Sequence, residues 1–395
     1  MILIPVLAGR KPDMSAFLFS FFLIYGACNF YVFMKAKAAL HPGTGVSLVM
    51  TGFMLAMVAC PFIVRMSEKS GHEGLATLAA YIGYAWLGLV FLFVSASFAF
   101  DIYRFLLYAG GTLLKRDFSA ASIPARYAFF VPLGLAISIA VYGYFEAKQI
   151  RTEHVLIRTS KLPEGRERLR IVQISDVHLG LIVGEDQLRS ILRAVEKAGP
   201  DILVSTGDLV DAEICSVKGF ADLLAGVRPE YGKFGVTGNH EFYAGLTQSL
   251  DCAGKAGITM LRGKALTVGG LINIAGVDDP TARFFDLATS VTEKEILSPL
   301  PAGTFTLLLK HRPIVSKESI GLFDLQLSGH THKGQIFPFS LVTRLYYPIH
   351  SGLLELVNGS HLYVSRGAGT WGPPIRFLSP PEVTVIDLIK DNFPR

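Results

Sequence analysis

Four uncharged apolar stretches constrain this chain more than any other feature. They run roughly from Ala16 to Met34, Gly45 to Val64, Ala76 to Phe100 and Tyr127 to Phe145. A helix rises about 1.5 Å per residue, so about 20 residues cross a hydrocarbon core of about 30 Å. Each stretch meets or nearly meets that length. Lipid leaves backbone polar groups no partner outside the segment, so helices are the expected form. Buried helices of a water-soluble protein are the alternative, but four such runs between charged connectors suit it poorly. A cleaved leader would explain only the first run. Residues 1–150 are therefore expected to form an all-α, four-helix transmembrane domain. Between the last two runs, Ile102–Leu114 is moderately apolar and carries Arg104; it is a candidate for a short helix lying along the interface.

Charge divides along the same line. Residues 1–150 hold 11 Lys+Arg and 6 Asp+Glu, which leaves 37 − 11 = 26 basic and 32 − 6 = 26 acidic residues for the remainder. The second half is neutral, so no nucleic-acid partner is expected. Only 17% of the chain is charged, against about a quarter in soluble proteins. A multi-pass location in the cell (inner) membrane follows. Basic residues in the connectors, among them Arg10 and Lys11, tie between the two sides. Arg158 and Lys161 tip the balance towards a cytoplasmic catalytic half. No ionisable residue falls inside a span, which disfavours a transporter. The four cysteines, Cys28, Cys60, Cys215 and Cys252, show no CxxC spacing and read as free thiols.

From Leu169 onwards the pattern is that of an α/β domain, 151–395. Short apolar runs at Leu169–Ser175, Asp201–Ser205, Phe234–Thr237, Leu271–Ala275, Thr304–Leu309, Leu325–Ser328, Leu362–Ser365 and Val383–Leu388 read as strands. Asp186–Lys197 has the spacing of an amphipathic helix, and helix-like sequence recurs near Phe220–Ala225. The polar residues fall just after the strands. Asp176 and His178 follow the first, and Asp208 the second. Asn239 and His240 follow the third. His311 ends the Leu307–Lys310 run, and His330 and His332 follow Leu325–Ser328. Ligands bind beyond the carboxyl ends of strands in open α/β sheets. Taken singly, each motif is weak, and an Asp-x-His or a Gly-Asp is common by chance. The ordered set is not. Two divalent ions about 3.5–4 Å apart need several anionic or imidazole donors and a shared carboxylate. Mixed oxygen and nitrogen donors suit manganese, zinc or iron.

Asp176-x-His178, Gly207-Asp208, Gly238-Asn239-His240-Glu241, His311 and Gly329-His330-x-His332 together resemble the calcineurin-like metallophosphoesterase superfamily. The tail from Tyr363 to Phe377 is similar to its membrane-associated branch. The resemblance implies a two-sheet β-sandwich flanked by helices, with a dinuclear site at one edge. It implies Asp176, His178 and His332 for the first metal, Asn239, His311 and His330 for the second, and Asp208 bridging both. His240 would be a proton donor at the leaving group, oriented by a nearby carboxylate. A metal-bridging hydroxide would attack phosphorus in a phosphodiester or pyrophosphate. The membrane half favours a lipid-linked phosphorylated substrate, with the bilayer as partner. Soluble nucleotides or phosphoproteins are the alternative, and a non-catalytic membrane scaffold a distant one. Arg366 and Arg312 are candidate phosphate contacts, as are Lys333 and Arg376 more weakly; salt bridges are the competing reading. Ile336–Leu354, rich in aromatic residues, suits an acyl groove or a bilayer contact as well as ordinary packing. Asp278 and Asp279, after an apolar run, read as a loop turn, with approach to the site as the alternative.

Overall fold

The computed structural model describes residues 14–211 and 219–391, so Arg10, Lys11 and Cys215 lie outside the described residues. Two compact units result: Met1–Phe145 with Gly372–Ile375, and Glu146–Trp371 with Arg376–Arg395.

The first unit holds α1 (Met14–Leu40), α2 (Thr44–Lys69), α3 (Glu73–Leu114) and α4 (Ala125–Glu146). All four are long and apolar enough to cross a membrane. The segment Ile102–Leu114 is not a separate interfacial helix. It continues α3, because nothing from Asp101 to Leu114 breaks the helix; the end comes at Lys115, in the left-handed conformation. Polar side chains tie α1 to α3. Asp101 accepts from Tyr31 at 2.5 Å and pairs with Lys35, and the Trp86 indole donates to Asn29 at 2.9 Å.

The second unit is an α/β sandwich of two six-stranded sheets. The first sheet contains β1 (Arg151–Thr159), β2 (Arg168–Ile174), β3 (Ile202–Ser205), β4 (Lys233–Gly235), β5 (Ile258–Met260) and the last strand, β12 (Glu382–Lys390). Their order is β1-β12-β2-β3-β4-β5, with β2 to β5 parallel. The second contains β6 (Lys264–Val268), β7 (Ile272–Gly276), β8 (Phe305–Leu309), β9 (Leu325–Ser328), β10 (Gly352–Glu355) and β11 (His361–Val364). Its order is β10-β11-β9-β8-β7-β6, parallel from β7 through β11.

Alternation along each strand decides which face it buries. Leu169 and Ile171 of β2 meet Leu307, Leu309 and Leu325 between the sheets. Val172 and Ile174 point the other way, against Leu188, Ile191 and Val195 of α5 (Glu185–Ala198) and Leu224 of α6 (Phe220–Gly226). On the outer face of the second sheet, Leu308 packs with Ile296 and Leu297 of α9 (Glu293–Leu297). Both faces of the central strands are thus covered, as parallel sheets require. The parallel strands also release their chains at one common edge. There Gln173 bridges the sheets, donating to Thr206 at 2.8 Å and to the Ser328 carbonyl at 3.0 Å.

Cys28 and Cys60 are free, but Cys252 is disulfide-bonded. The expectation of four free thiols fails there, since spacing cannot reveal a bridge that only folding creates.

Leu325 is fully buried between the sheets. Leu325→Ala is expected to destabilise the second unit by about 2–5 kcal/mol, read as a lower denaturation midpoint by circular dichroism.

Candidate metal centre

Every imidazole and carboxylate singled out after a strand converges at that common edge. The local backbone is unusual. Asp176, His178, Asp208, His330 and His332 all adopt positive φ, between 46° and 71°. Residues other than glycine rarely enter this region, though Asp and His tolerate it better than most. Such a cluster of strained positions marks a functional site. Close approach of the backbones makes it possible. A Cβ on Gly238 would lie 2.1 Å from Asp208 Oδ1, and one on Gly329 2.0 Å from Ser175 Oγ and 2.1 Å from Asp176 Oδ2.

Two donor sets emerge, sharing one carboxylate. In the first, His178 Nε2 and His332 Nε2 lie 3.0 Å apart, and His332 Nε2 is 3.5 Å from Asp176 Oδ1. In the second, His311 Nε2 lies 3.1 Å from His330 Nδ1 and 3.3 Å from Asn239 Oδ1. Asp208 Oδ2 stands between them, 3.2 Å from His311 Nε2 and 3.7 Å from His178 Nε2. Asp176, His178 and His332 form one cluster able to hold an ion, and Asp208, His311 and His330 another.

The donor chemistry fits cations. His311 Nδ1 lies 2.8 Å from the Thr206 carbonyl, which can only accept, so the ring carries its proton there. Its Nε2 lone pair then faces two oxygens that can only accept, Asp208 Oδ2 at 3.2 Å and Asn239 Oδ1 at 3.3 Å. Only a positive charge reconciles them. With no metal, a proton takes that place: burial opposes it, but Asp208 pushes His311 up to about 10. Burial, with Arg312 and His311, holds His330 neutral, and burial with Arg376 does so for His332. Neutral imidazole is the form that binds metal. Nitrogens about 2.1 Å from one ion, at right angles, sit about 3 Å apart. The two His pairs match that spacing.

His240 lies beside this group, its ring centroid 4.6 Å from that of His178. Asp211 holds its Nδ1 at 2.7 Å. Burial disfavours the charged imidazolium, but Asp208 and Asp211 outweigh it and raise the pKa to about 9. Asp211 does not stand out in the sequence, and Glu241 appears there only as the last residue of the Gly238–Glu241 block, with no role assigned. Glu241 is buried, and its carboxylate accepts from the backbone N–H groups of Gly238 (2.6 Å), Leu209 (2.7 Å) and Asp208 (3.0 Å).

The arginines are engaged elsewhere. Arg366 pairs with Glu153 and Glu382, and Arg312 makes a two-point contact with Asp279 at 2.7 and 3.0 Å. Arg312 nonetheless stays close enough to His330 to lower its pKa. Arg376 is fully buried behind the site, with Nη2 3.1 Å from His332 Nδ1 and bonds to the Gly369 and Arg366 carbonyls. Asp278 pairs with Arg262 at 2.8 Å, consistent with its reading as part of a loop.

A buried set of His, Asp and Asn on the loops of a two-sheet sandwich defines a metal-dependent phosphoester hydrolase, and this chain belongs to the calcineurin-like phosphoesterase family. The family model matches residues 169–334, and the family binds two divalent metals. An uncharacterized metallophosphoesterase of Aquifex aeolicus (strain VF5) is 41% identical over 64% of this chain and 97% of its own length. One from Helicobacter pylori (strain J99) is 32% identical, over 87% of this chain and 99% of that one. A Danio rerio transmembrane protein with metallophosphoesterase domain is 31% identical, over 78% and 73%. With its four apolar helices, the chain is a membrane protein.

Gly329→Ala is expected to displace Asp176 and lower metal affinity about 10–100-fold, measured by metal analysis of protein dialysed against graded manganese.

Proposed function

We propose that this protein is a membrane-bound hydrolase of a phosphodiester or pyrophosphate bond, working at two cations shared by Asp208, on a lipid-linked substrate. The observation that carries the reading is the position of Asp208 Oδ2 between His311 and His178. Asp176, His178 and His332 hold the first cation, and Asn239, His311 and His330 the second. The donor set, nitrogen and oxygen without thiolate, suits manganese, zinc or iron. The ions, when bound, neutralise phosphoryl charge and make water a nucleophile at neutral pH.

The chain's own groups do the rest. Asp211 fixes the His240 ring. The Asp211 carboxylate at Nδ1 favours the protonated His240 ring, the form that can donate to the leaving oxygen. Glu241 clamps the backbone that carries Asp208 and His240. Arg376 packs against His332 and fixes its ring. We assign residues 1–150 to the membrane domain and 151–395 to catalysis. The apolar helices support a substrate drawn from the bilayer.

His240→Ala is expected to lower kcat about 10²–10⁴-fold while metal content is kept, and Asp208→Asn to lose both metal and activity. Hydrolysis of lipid phosphates in vesicles and of soluble nucleotides, each with manganese, checks this. Turnover of soluble nucleotides alone would reject the lipid reading, and unchanged activity in both variants would reject the site.

Location in the cell's inner membrane agrees with four spans. The side is another matter. Arg158 and Lys161, which tipped the charge balance, sit in β1 and the turn after it, in the folded second unit. Arg151 sits in β1 as well, and without all three the connectors no longer favour the cytoplasm for this half. Disulfides such as that of Cys252 belong to oxidising compartments. We therefore favour a catalytic domain on the non-cytoplasmic side. In spheroplasts, whose outer membrane is opened and inner membrane intact, cleavage of the catalytic domain by added protease is the expected result, and protection until lysis would reverse the assignment.

A further inference from the structure

Between β9 and β10 the chain forms α10 (Phe339–Tyr346), a helix with two contrasting faces. Its inner side reaches the metal centre. Thr343 is buried, and the buried ring of Tyr347, just past the helix, packs edge-on against His330 at 5.5 Å. The outer side carries Leu341, Arg344 and Leu345, which share one face at i, i+3 and i+4. Leu341 is 57% exposed and Leu345 84%, with Phe337 at 39% just before the helix. Leaving such leucines in water beside a catalytic centre calls for an occupant.

Charge narrows the choice. Arg344 is exposed, and neither it nor Lys333 forms an ion pair with a described carboxylate. His350 lies within the influence of both; burial lowers its pKa, and these two cations lower it further. Its carbonyl accepts from Thr331, between His330 and His332, at 2.7 Å. An uncompensated basic group therefore adjoins the metal-binding loop next to an apolar ridge. Leucines flanked by Arg and Lys suit the boundary between acyl chains and anionic headgroups.

We infer that the outer face of α10 docks on an anionic lipid bilayer, with Phe337, Leu341 and Leu345 entering the acyl boundary and Arg344 and Lys333 meeting headgroup phosphates. This deepens the lipid-substrate reading, since Tyr347 would hold the metal centre beside that surface. It does not depend on turnover. The test uses the full chain reconstituted in phosphatidylcholine vesicles with and without phosphatidylglycerol. A photoreactive p-benzoylphenylalanine replaces Leu345 or, as a control, Lys255. Lys255 is exposed on α8 (Leu246–Lys255), beside β5 at the far edge of the first sheet from β1.

Lipid adducts by mass spectrometry are expected at position 345 and not at 255. Adding Arg344→Glu should cut the yield in the anionic vesicles about fivefold. No adduct at 345, or equal adduct at both positions, overturns the proposal. The same proteins are assayed with manganese on soluble bis(p-nitrophenyl) phosphate. Full hydrolysis without labelling at 345 overturns the docking face and leaves the catalytic reading intact. Labelling without hydrolysis supports the docking face and counts against catalysis alone.

Discussion

A single buried carboxylate holds the catalytic edge in register. Glu241 takes the N–H groups of Gly238, Leu209 and Asp208, which belong to loops leaving two neighbouring parallel strands. Burial and the nearby Asp208 charge push its pKa up, so the site carries an electrostatic cost. Three backbone donors offset that cost, as they do for carboxylates at helix starts. The loops can then keep Asp208 and its neighbours in a conformation few residues accept. Everything downstream, from the shared Asp208 oxygen to the paired imidazoles, depends on those loops not relaxing.

Strain, close backbone approach and charge reinforce one another. Burial alone would keep Asp208 protonated, yet His311 holds it well below the ordinary carboxylate range. Each group is ionised or neutral because of the others, so removing one perturbs all. Asp211 extends the same logic outward, and His240 and His178 keep it ionised against burial.

Much of this was legible in the sequence because chemistry and topology coincide there. Metal-binding residue types directly after apolar runs are what a parallel sheet presents at its carboxyl edge. The unread parts depend on partners distant in the chain. Asp211 gains meaning only beside His240, and Arg376 only beside His332, 44 residues away. β1 escaped notice because its residues alternate between exposed and buried, as on a sheet edge. The Arg366 and Arg312 side chains were candidates by type alone, and their acidic partners Glu153, Glu382 and Asp279 decide their engagement. Helix α3 ran past its apolar stretch because polarity ends a span without ending a helix.

The position of β12 carries a consequence for how the protein is made. It lies between β1 and β2, pairing with both, although more than 200 residues of chain separate it from them. A ribosome delivers the membrane helices first and this strand last among those described. Until it emerges, β1 has no neighbour and the first sheet has a gap. The membrane helices can thus be seated while the hydrolase is still incomplete, and the first sheet closes only once β12 has emerged.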